Sequence, residues 1–190
     1  MIDFKKNMPD YVEYEGARYG INPDFRVWIN TESILRSDIP WFEKVIELFK
    51  LCYKDNLPPD ANAAFRLLID FYCGGKVENT ENKVQKGTSA RVFDFEADAE
   101  LFYAAFMQQY GIDLTEENLH WWKFLALFRS VSQDTKLFSV MQYRAMDLSE
   151  FTDKRQKDYY RKLKRIYRLP NRHLSDEDGE LAEMISQMMV

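Results

Sequence analysis

The chain is poor in the residues that shape β-rich folds, disulfide frameworks and metal sites. Its 190 residues include only 7 glycines and 6 prolines, too few for a fold that needs a specialised turn about every ten residues. The two cysteines, Cys52 and Cys73, lie far apart without a CxxC pattern, which excludes a disulfide framework and a zinc module and suits a reducing compartment. The two histidines, His120 and His173, are also far apart. No local pattern therefore predicts a metal site or a histidine-based catalytic triad.

The chain also lacks a long apolar run and the common catalytic motifs. No stretch approaches the roughly eighteen uninterrupted apolar residues that a membrane-spanning helix needs. Residues 1–9 contain lysines with no apolar run after them, so no signal peptide is predicted. The GxxxxGK[ST], GxGxxG, HExxH and GxSxG motifs are missing. We therefore expect a soluble, non-catalytic protein of the cytoplasm, with no cofactor, no metal and no membrane partner.

Aromatic residues, in contrast, are abundant. The 14 Phe, 11 Tyr and 4 Trp make up 15% of a chain that is 46% hydrophobic, which is enough to bury a sizeable core. Apolar residues recur at helical spacing, and Glu15-Gly16 lies between β-forming residues of segment 11–21. The predicted fold is mainly α, a multi-helix, bundle-like domain with a small N-terminal β-hairpin.

The sequence divides into four parts of what we expect to be one domain. Residues 1–75 carry the hairpin and the first helices, and residues 91–148 carry the central helices. Residues 149–190 hold a basic helix and a C-terminal helix. Segment 76–90 is polar and has no large apolar anchors, so ordering it would cost entropy that no burial offsets. It is predicted to be a mobile loop that proteases cut first.

Capping residues predict where individual helices begin. Residues 24–29 predict a helix that leads to Ser37, Thr115-Glu116-Glu117 is expected to cap a helix through Phe128, and Ser132 one over 135–146. The run from Leu101 to Met107 is apolar almost all round, so this helix should be central. The acids that precede or open it are expected to be solvated charges rather than metal ligands; they are Asp94, Glu96, Asp98 and Glu100.

The predicted core consists of large apolar side chains from these helices. They are Trp28, Trp41, Phe49, Leu67, Phe71, Leu101, Phe106, Trp122, Leu125 and Phe128. If the Trp122 ring is buried, Trp122→Ala should cost roughly 3–5 kcal/mol. Both cysteines are expected to be small buried side chains. His120, beside two tryptophans, is expected to be structural rather than a ligand or a base.

Positive charge is concentrated near the C-terminal end. Between Glu150 and Arg172 there are nine basic and three acidic residues, in a chain of net charge -5. Tyr159, Leu163, Ile166 and Tyr167 at helical spacing predict an amphipathic helix over 150–168 with a basic outer face. That face is solvated, docks on acidic protein surface, or binds nucleic acid. Because no nucleic-acid motif is present, we favour the protein alternatives.

A second amphipathic segment follows the basic helix. After Ser175, apolar residues at i, i+3, i+4 and i+7 predict a helix with one methionine-bearing seam, which packs on its own domain or on a partner. Candidate partner-binding residues come from both segments, and they are Lys157, Arg161, Lys164, Arg165, Arg168, Met184 and Met188.

Six stretches together resemble a known family, the bacteriophage gp-fifteen family of siphoviruses and prophages of Gram-positive bacteria. They cover about residues 11–145, and the most specific are YAAFMQQYGIDL and LHWWKF. The six stretches are 21–29 (INPDFRVWI), 71–76 (FYCGGK), 93–95 (FDF), 103–114 (YAAFMQQYGIDL), 119–124 (LHWWKF) and 127–130 (LFRS).

The resemblance implies a role in phage tail morphogenesis. Genes of this family typically lie near the tape-measure gene, where tail assembly chaperones are encoded. The expected function is an assembly chaperone or accessory protein that binds the tape measure or another tail protein in the bacterial host cytoplasm. A structural tail or connector component of the virion, or a nucleic-acid-binding accessory protein, is the alternative. Whether the chain forms a homo-oligomer stays open, and the resemblance implies no catalytic residues.

Overall fold

A computed structural model describes residues 7–75 and 91–170 of the chain. Within them the chain forms seven α-helices, one short 3-10 helix and one two-stranded antiparallel sheet. This confirms the prediction of a mainly α fold with a small hairpin. The predicted loop 76–90 and the C-terminal seam with Met184 and Met188 lie outside the described residues.

The elements fall into two compact units. In chain order they are β1 (Tyr11–Tyr14), β2 (Ala17–Gly20), α1 (Phe25–Leu35), α2 (Trp41–Cys52), α3 (Ala61–Tyr72), α4 (Ala99–Tyr110), α5 (Trp121–Arg129), α6 (Lys136–Ala145), the 3-10 helix (Leu148–Glu150) and α7 (Lys154–Ile166). The described residues of the first unit are 7–75 and 118–129, so it contains the hairpin, α1, α2, α3 and α5. Those of the second unit are 91–117 and 130–170, so it contains the remaining elements.

The hairpin has the turn that its sequence predicts. Val12 pairs with Tyr19, and β1 and β2 run antiparallel. Glu15 and Gly16 take positive φ angles of 49° and 80°, as the two central residues of a type I′ turn require. The hairpin does not stand alone, because Val12 is buried and β1 contacts α3.

Three helices begin at residues other than those expected. Helix α7, predicted over 150–168, begins at Lys154 because Asp153 caps it, and it ends at Ile166. Helix α5 begins at Trp121 rather than near Thr115, because residues before it are extended: Phe25 N donates to Leu119 O at 3.0 Å and Trp121 N to Pro23 O at 2.7 Å. At α6, Thr135 replaces Ser132 as the cap, since its hydroxyl accepts a hydrogen bond from a backbone N–H in the first turn at 3.2 Å.

Aromatic rings form the core of the first unit. The ring centroid of Trp28 lies 4.9 Å from that of Phe71 and 6.3 Å from that of Trp121. Trp121 also stacks on Tyr72 at 5.3 Å and on Phe124 at 5.6 Å. Both indoles are fully buried and have hydrogen-bond acceptors: Trp28 Nε1 donates to the carbonyl of residue 22 at 2.8 Å and Trp121 Nε1 to Tyr72 O at 2.7 Å.

The predicted core is half right. Five of the residues are buried, namely Trp28, Phe71, Phe106, Leu125 and Phe128. Four are only half-buried, namely Phe49, Leu67, Leu101 and Trp122. Trp41 is 43% exposed. In α2 the buried face instead includes Lys44, whose Nζ donates to Leu35 O at 3.1 Å. The spacing of apolar residues in the sequence cannot identify this buried face of α2, because a lysine forms part of it.

The second unit corrects two further expectations. Asp94 and Asp98 are each 3% exposed rather than solvated, whereas Glu96 and Glu100 are exposed. Asp94 accepts two backbone N–H bonds of the following turn at 2.7 and 2.8 Å, and Asp98 accepts two bonds from Arg144. Both carboxylates are thus buried because each has donors to satisfy it.

The apolar composition of helix α4 predicted that the helix would be buried on all sides, but one side of it is exposed. Phe102, Ala105 and Phe106 are buried, but Tyr103 and Met107 are each 37% exposed. The described part of this unit has three α-helices, and α4 contacts α6. So few helices cannot cover every side of one of them.

Candidate partner-binding face

Helix α7 is a basic helix attached to α6 through aromatic side chains. Between Lys154 and Ile166 it carries seven basic residues and one acidic residue. Tyr160, Leu163 and Tyr167 are half-buried and share one side of the helix, the side towards α6 and the 3-10 helix. Tyr143 of α6 stacks on Tyr167 with ring centroids 5.9 Å apart. The side of α7 that packs is therefore a tyrosine and leucine stripe.

Two cations fix the C-terminal ends of α6 and α7 to each other. Lys164 Nζ donates to Met146 O, the C-cap of α6, at 2.8 Å. Arg144 Nε donates to Tyr167 O, the C-cap of α7, at 2.6 Å. The last carbonyls of a helix lack partners within the helix, so cations there satisfy them and oppose the partial negative charge. These bonds fix the orientation of α7 on α6.

The half-buried stripe of α7 differs from the predicted one at three positions, since it contains Tyr160 and lacks Tyr159 and Ile166. Tyr159 and Ile166 were expected to pack inward, but they are 59% and 57% exposed. Each residue turns an α-helix by about 100°, so choosing Tyr159 instead of Tyr160 rotates the predicted face outward. Because Tyr159 and Tyr160 are consecutive, the sequence pattern is compatible with two different packed faces of the helix.

The exposed side of α7 combines positive charge with apolar surface. Arg155, Tyr159, Lys162 and Ile166 follow each other at spacings of four, three and four residues and therefore form one continuous stripe, all of it exposed. Two further exposed arginines flank it. We call these six residues the α7 outer face: Arg155, Tyr159, Arg161, Lys162, Arg165 and Ile166.

The structure separates the predicted partner-binding residues into three groups. Arg161, Arg165 and Arg168 are exposed, with Arg161 ion-paired to Asp158. Lys157 and Lys164 are half-buried, and Lys164 is held by Met146 O. Met184 and Met188 lie outside the described residues. Their role in binding stays a prediction. Sequence reasoning did not predict that Tyr159 and Ile166 are exposed. Their helical spacing with Arg155 and Lys162 is the signal that places them on the charged side of the helix.

Charges near α7 affect one neighbouring acid. The pKa of Asp147 is lowered, first by the hydrogen bond from Ser149 N at 2.8 Å and also by the positive charges of Lys164 and Lys157. Asp147 therefore stays ionised at neutral pH beside the inner edge of α7. Lys157 and Lys164 consequently face an anion of their own unit, which leaves the α7 outer face as the positive surface.

His120 has the structural role that was expected. Its Nε2 lies 3.0 Å from Pro9 O, and its Nδ1 accepts a hydrogen bond from Trp122 N at 3.0 Å. These bonds assign the ring proton to Nε2. Burial lowers the pKa of His120, against the opposing effects of the Pro9 carbonyl and Asp10. The neutral ring connects the N-terminal segment to the start of α5.

Within residues 7–75 and 91–170, no group of three or more His, Cys, Asp or Glu side chains is placed to hold a metal ion. Within the same ranges, no helix combines the length and the apolar character that crossing a membrane requires.

The chain matches the family model described as Bacteriophage Gp15 protein over residues 4–169. The chain belongs to this family. The resemblance given above is thereby confirmed, and the match extends beyond the recognised stretches to include all of α7. No curated protein and no solved structure matches the chain. Membership in the Bacteriophage Gp15 protein family indicates a phage structural or morphogenesis protein.

Three of the stretches that carry the Gp15 resemblance meet in the core of the first unit. Stretches 21–29 and 119–124 pair through the backbone bonds that join residues 23 and 25 to 121 and 119. Trp122 Nε1 donates to Phe71 O at 2.8 Å, so stretch 71–76 meets the same cluster. The contacts of these three stretches are explained by folding of the first unit, whereas stretches 93–95 and 103–114 belong to the second unit.

Proposed function

We propose that this Gp15-family chain is a non-catalytic phage tail-morphogenesis protein that binds another tail protein through the α7 outer face. The observation that carries the proposal is the exposed stripe in which Tyr159 and Ile166 alternate with Arg155 and Lys162. Large apolar side chains ringed by charge are typical of binding surfaces. The partner that fits is a helix or segment with apolar side chains bordered by acids.

The tape-measure protein is the partner to test first. The family's genes are expected to lie beside the tape-measure gene, and a very long helical protein offers many amphipathic segments. In this role the chain acts as an assembly chaperone or accessory protein in the host cytoplasm. A chaperone leaves before the virion is complete, whereas a structural tail or connector component remains in it. Mass spectrometry of purified virions separates these two roles.

The attachment of α7 supports binding without further folding. Lys164, Arg144 and the tyrosines hold the helix by one side, so its other side is already oriented. A surface that is ordered beforehand loses less conformational entropy on association. Positive charge also accelerates encounter with an acidic partner, in a way that salt weakens.

The test is co-expression with the tape-measure protein, followed by pull-down and association kinetics at several salt concentrations. Reversal of three exposed bases (Arg161→Glu, Lys162→Glu and Arg165→Glu) should slow association about 10-fold or more at low salt. Lys164 is left intact because it anchors α7. The matched control reverses three exposed bases of the first unit, Arg18, Arg66 and Lys123, and should leave association unchanged.

A second variant tests the apolar part of the surface. Tyr159→Ser with Ile166→Ser should accelerate dissociation while leaving the salt dependence intact, because it removes contact area and no charge. Equal binding by wild type and both variants would refute the proposed surface. Tight binding of duplex DNA that the charge reversal abolishes would instead support the nucleic-acid alternative.

A further inference from the structure

A separate apolar surface lies in the first unit, on α2 and the residues around it. Of the nine exposed large hydrophobic side chains in the described residues, five fall between positions 39 and 57. The Trp41 ring is partly covered, since it packs edge-on against Phe65 with centroids 5.2 Å apart. Phe42 is 63% exposed and Ile46 46%. A cluster of this kind marks an interaction surface, whereas a single exposed residue would need no explanation.

A groove lies on the same helix, C-terminal to Phe42. It has a volume of about 380 Å³, and its lining includes Ile46, Phe49, Lys50 and Tyr53. These four residues are spaced at i, i+3, i+4 and i+7. Four residues at that spacing form the hole that receives one side chain from a facing helix in knobs-into-holes packing. Phe42, one turn before Ile46 on the same side, has the exposure of such a knob.

We propose that a second copy of this chain packs its α2 antiparallel against this one, about a two-fold axis near Ile46. Phe42 of each copy then enters the groove of the other. A two-fold contact uses one patch twice, so the patch must contain both the knob and the hole. Helix α2 and its C-cap contain both, since the hole begins four residues after Phe42 at the exposed Ile46 and ends eleven residues after it at the buried Tyr53.

The charges on α2 fit the antiparallel direction. Glu43 is exposed in the N-terminal half of the helix. Glu47 and Lys50 are exposed in its C-terminal half and form an ion pair of 3.0 Å with each other. Antiparallel pairing about Ile46 brings Glu43 of one copy beside Lys50 of the other, twice per dimer. Parallel pairing would place like charges opposite each other. The occupant that suits this surface in shape and in charge is therefore α2 itself.

Sedimentation over a range of concentrations tests the dimer. Wild type should show a monomer–dimer equilibrium, and Phe42→Glu should raise the dissociation constant about 30-fold or more, as loss of a buried anchor does. Tyr103→Glu is the matched control, because Tyr103 is an exposed aromatic residue of the second unit that lies outside both proposed surfaces, and it should leave the equilibrium unchanged. A wild type that is monomeric up to its solubility limit, or a Phe42→Glu variant that still dimerises, overturns the proposal.

A charge exchange tests the two-fold geometry. Glu43→Lys alone and Lys50→Glu alone should each weaken the dimer several-fold, because like charges then meet at the interface. The double exchange should restore it, since both cross-contacts are reversed together. A double variant that is weaker than both single variants overturns the antiparallel arrangement.

A cross-link tests the position of the axis. Residues on a two-fold axis meet their own copies, so Ile46→Cys should give a disulfide-linked dimer on mild oxidation. Met107→Cys, at an exposed residue of α4, should not. The native cysteines do not interfere, because both are buried. Equal cross-linking of both variants contradicts the placement. These tests need no other phage protein, so their outcome is independent of the tape-measure proposal.

Discussion

Both units bury an arginine–carboxylate ion pair, but the two pairs connect different things. In the first unit, Arg36 Nε donates to Glu32 Oε1 at 2.7 Å, and both residues belong to the end of α1. In the second unit, Arg144 of α6 reaches across to Asp98 at the start of α4, with two bonds of 2.6 and 2.8 Å. The first pair links residues four apart in sequence, and the second links residues that are 46 apart.

The two ion pairs also differ in the other hydrogen bonds that their side chains make. Arg144 also donates to Tyr167 O at 2.6 Å and to Val92 O at 2.9 Å, so one guanidinium joins four segments of the second unit. Glu32 Oε2, by contrast, has no hydrogen-bond partner among the described residues. The first unit is joined by stacked rings instead. We infer that the Arg144 pair maintains tertiary structure, whereas the Arg36 pair is local.

The largest expected effect tests the ring cluster of the first unit. Trp121→Ala removes a fully buried ring and should cost about 3–5 kcal/mol of unfolding free energy. It also leaves Tyr72 O without its 2.7 Å donor. Urea unfolding followed by tryptophan fluorescence is the measurement, because all four tryptophans of the chain lie in the first unit.

Trp122→Ala is the matched control for this prediction. Its ring is half-buried, so its loss should be clearly smaller, even though its indole also donates to a carbonyl of α3. The sequence-based cost for Trp122→Ala was conditional on burial of the ring, and that burial is only partial. Equal losses for the two variants would contradict the difference in burial.

The next largest effect compares the two ion pairs directly. Replacing both partners by apolar residues of similar size often leaves stability unchanged or improves it. Glu32→Leu with Arg36→Met should therefore be close to neutral. Asp98→Leu with Arg144→Met should cost about 2–4 kcal/mol, because Tyr167 O and Val92 O lose their donor as well. Far-UV circular dichroism during urea unfolding gives both values, and similar losses would refute the distinction.

The same comparison shows what a sequence can predict. The helices, the hairpin and its turn follow from local patterns: Glu15-Gly16 for the turn, Asp24 and Asp60 as caps, Gly111 in the left-handed region at the end of α4. These features depend on residues that are near each other in the chain. Local chemistry is enough to specify them.

The Arg144 pair could not be predicted in this way. Asp98 opens a helix, where an acid is expected to be solvated, and its partner is 46 residues further on. Nothing in the sequence near Asp98 indicates that partner. The α7 outer face was half predicted: its charge was visible, but Tyr159 and Tyr160 permitted two faces, and only packing against Tyr143 decides between them.

A smaller effect concerns the acid response of the first unit. Burial lowers the pKa of His120 in the folded chain, so the unfolded chain takes up this proton first as the pH falls. The contribution to stability is therefore complete above the unfolded-state pKa of about 6.5 and is lost as the pH falls through it. His120→Asn should lose less stability than wild type between about pH 7 and pH 5. A steeper loss in the variant would contradict the neutral ring.

The smallest expected effect concerns the reactivity of the two thiols. Both cysteines belong to the first unit. Burial raises the pKa of Cys52 to about 12 and that of Cys73 to about 11, so almost no thiolate is present at neutral pH. Both thiols should react with a disulfide reagent far more slowly than in urea. Since reaction then requires the first unit to open, Trp121→Ala should accelerate it and Trp122→Ala less so. Rapid labelling of native wild type would show that the ring cluster does not exclude solvent from these side chains.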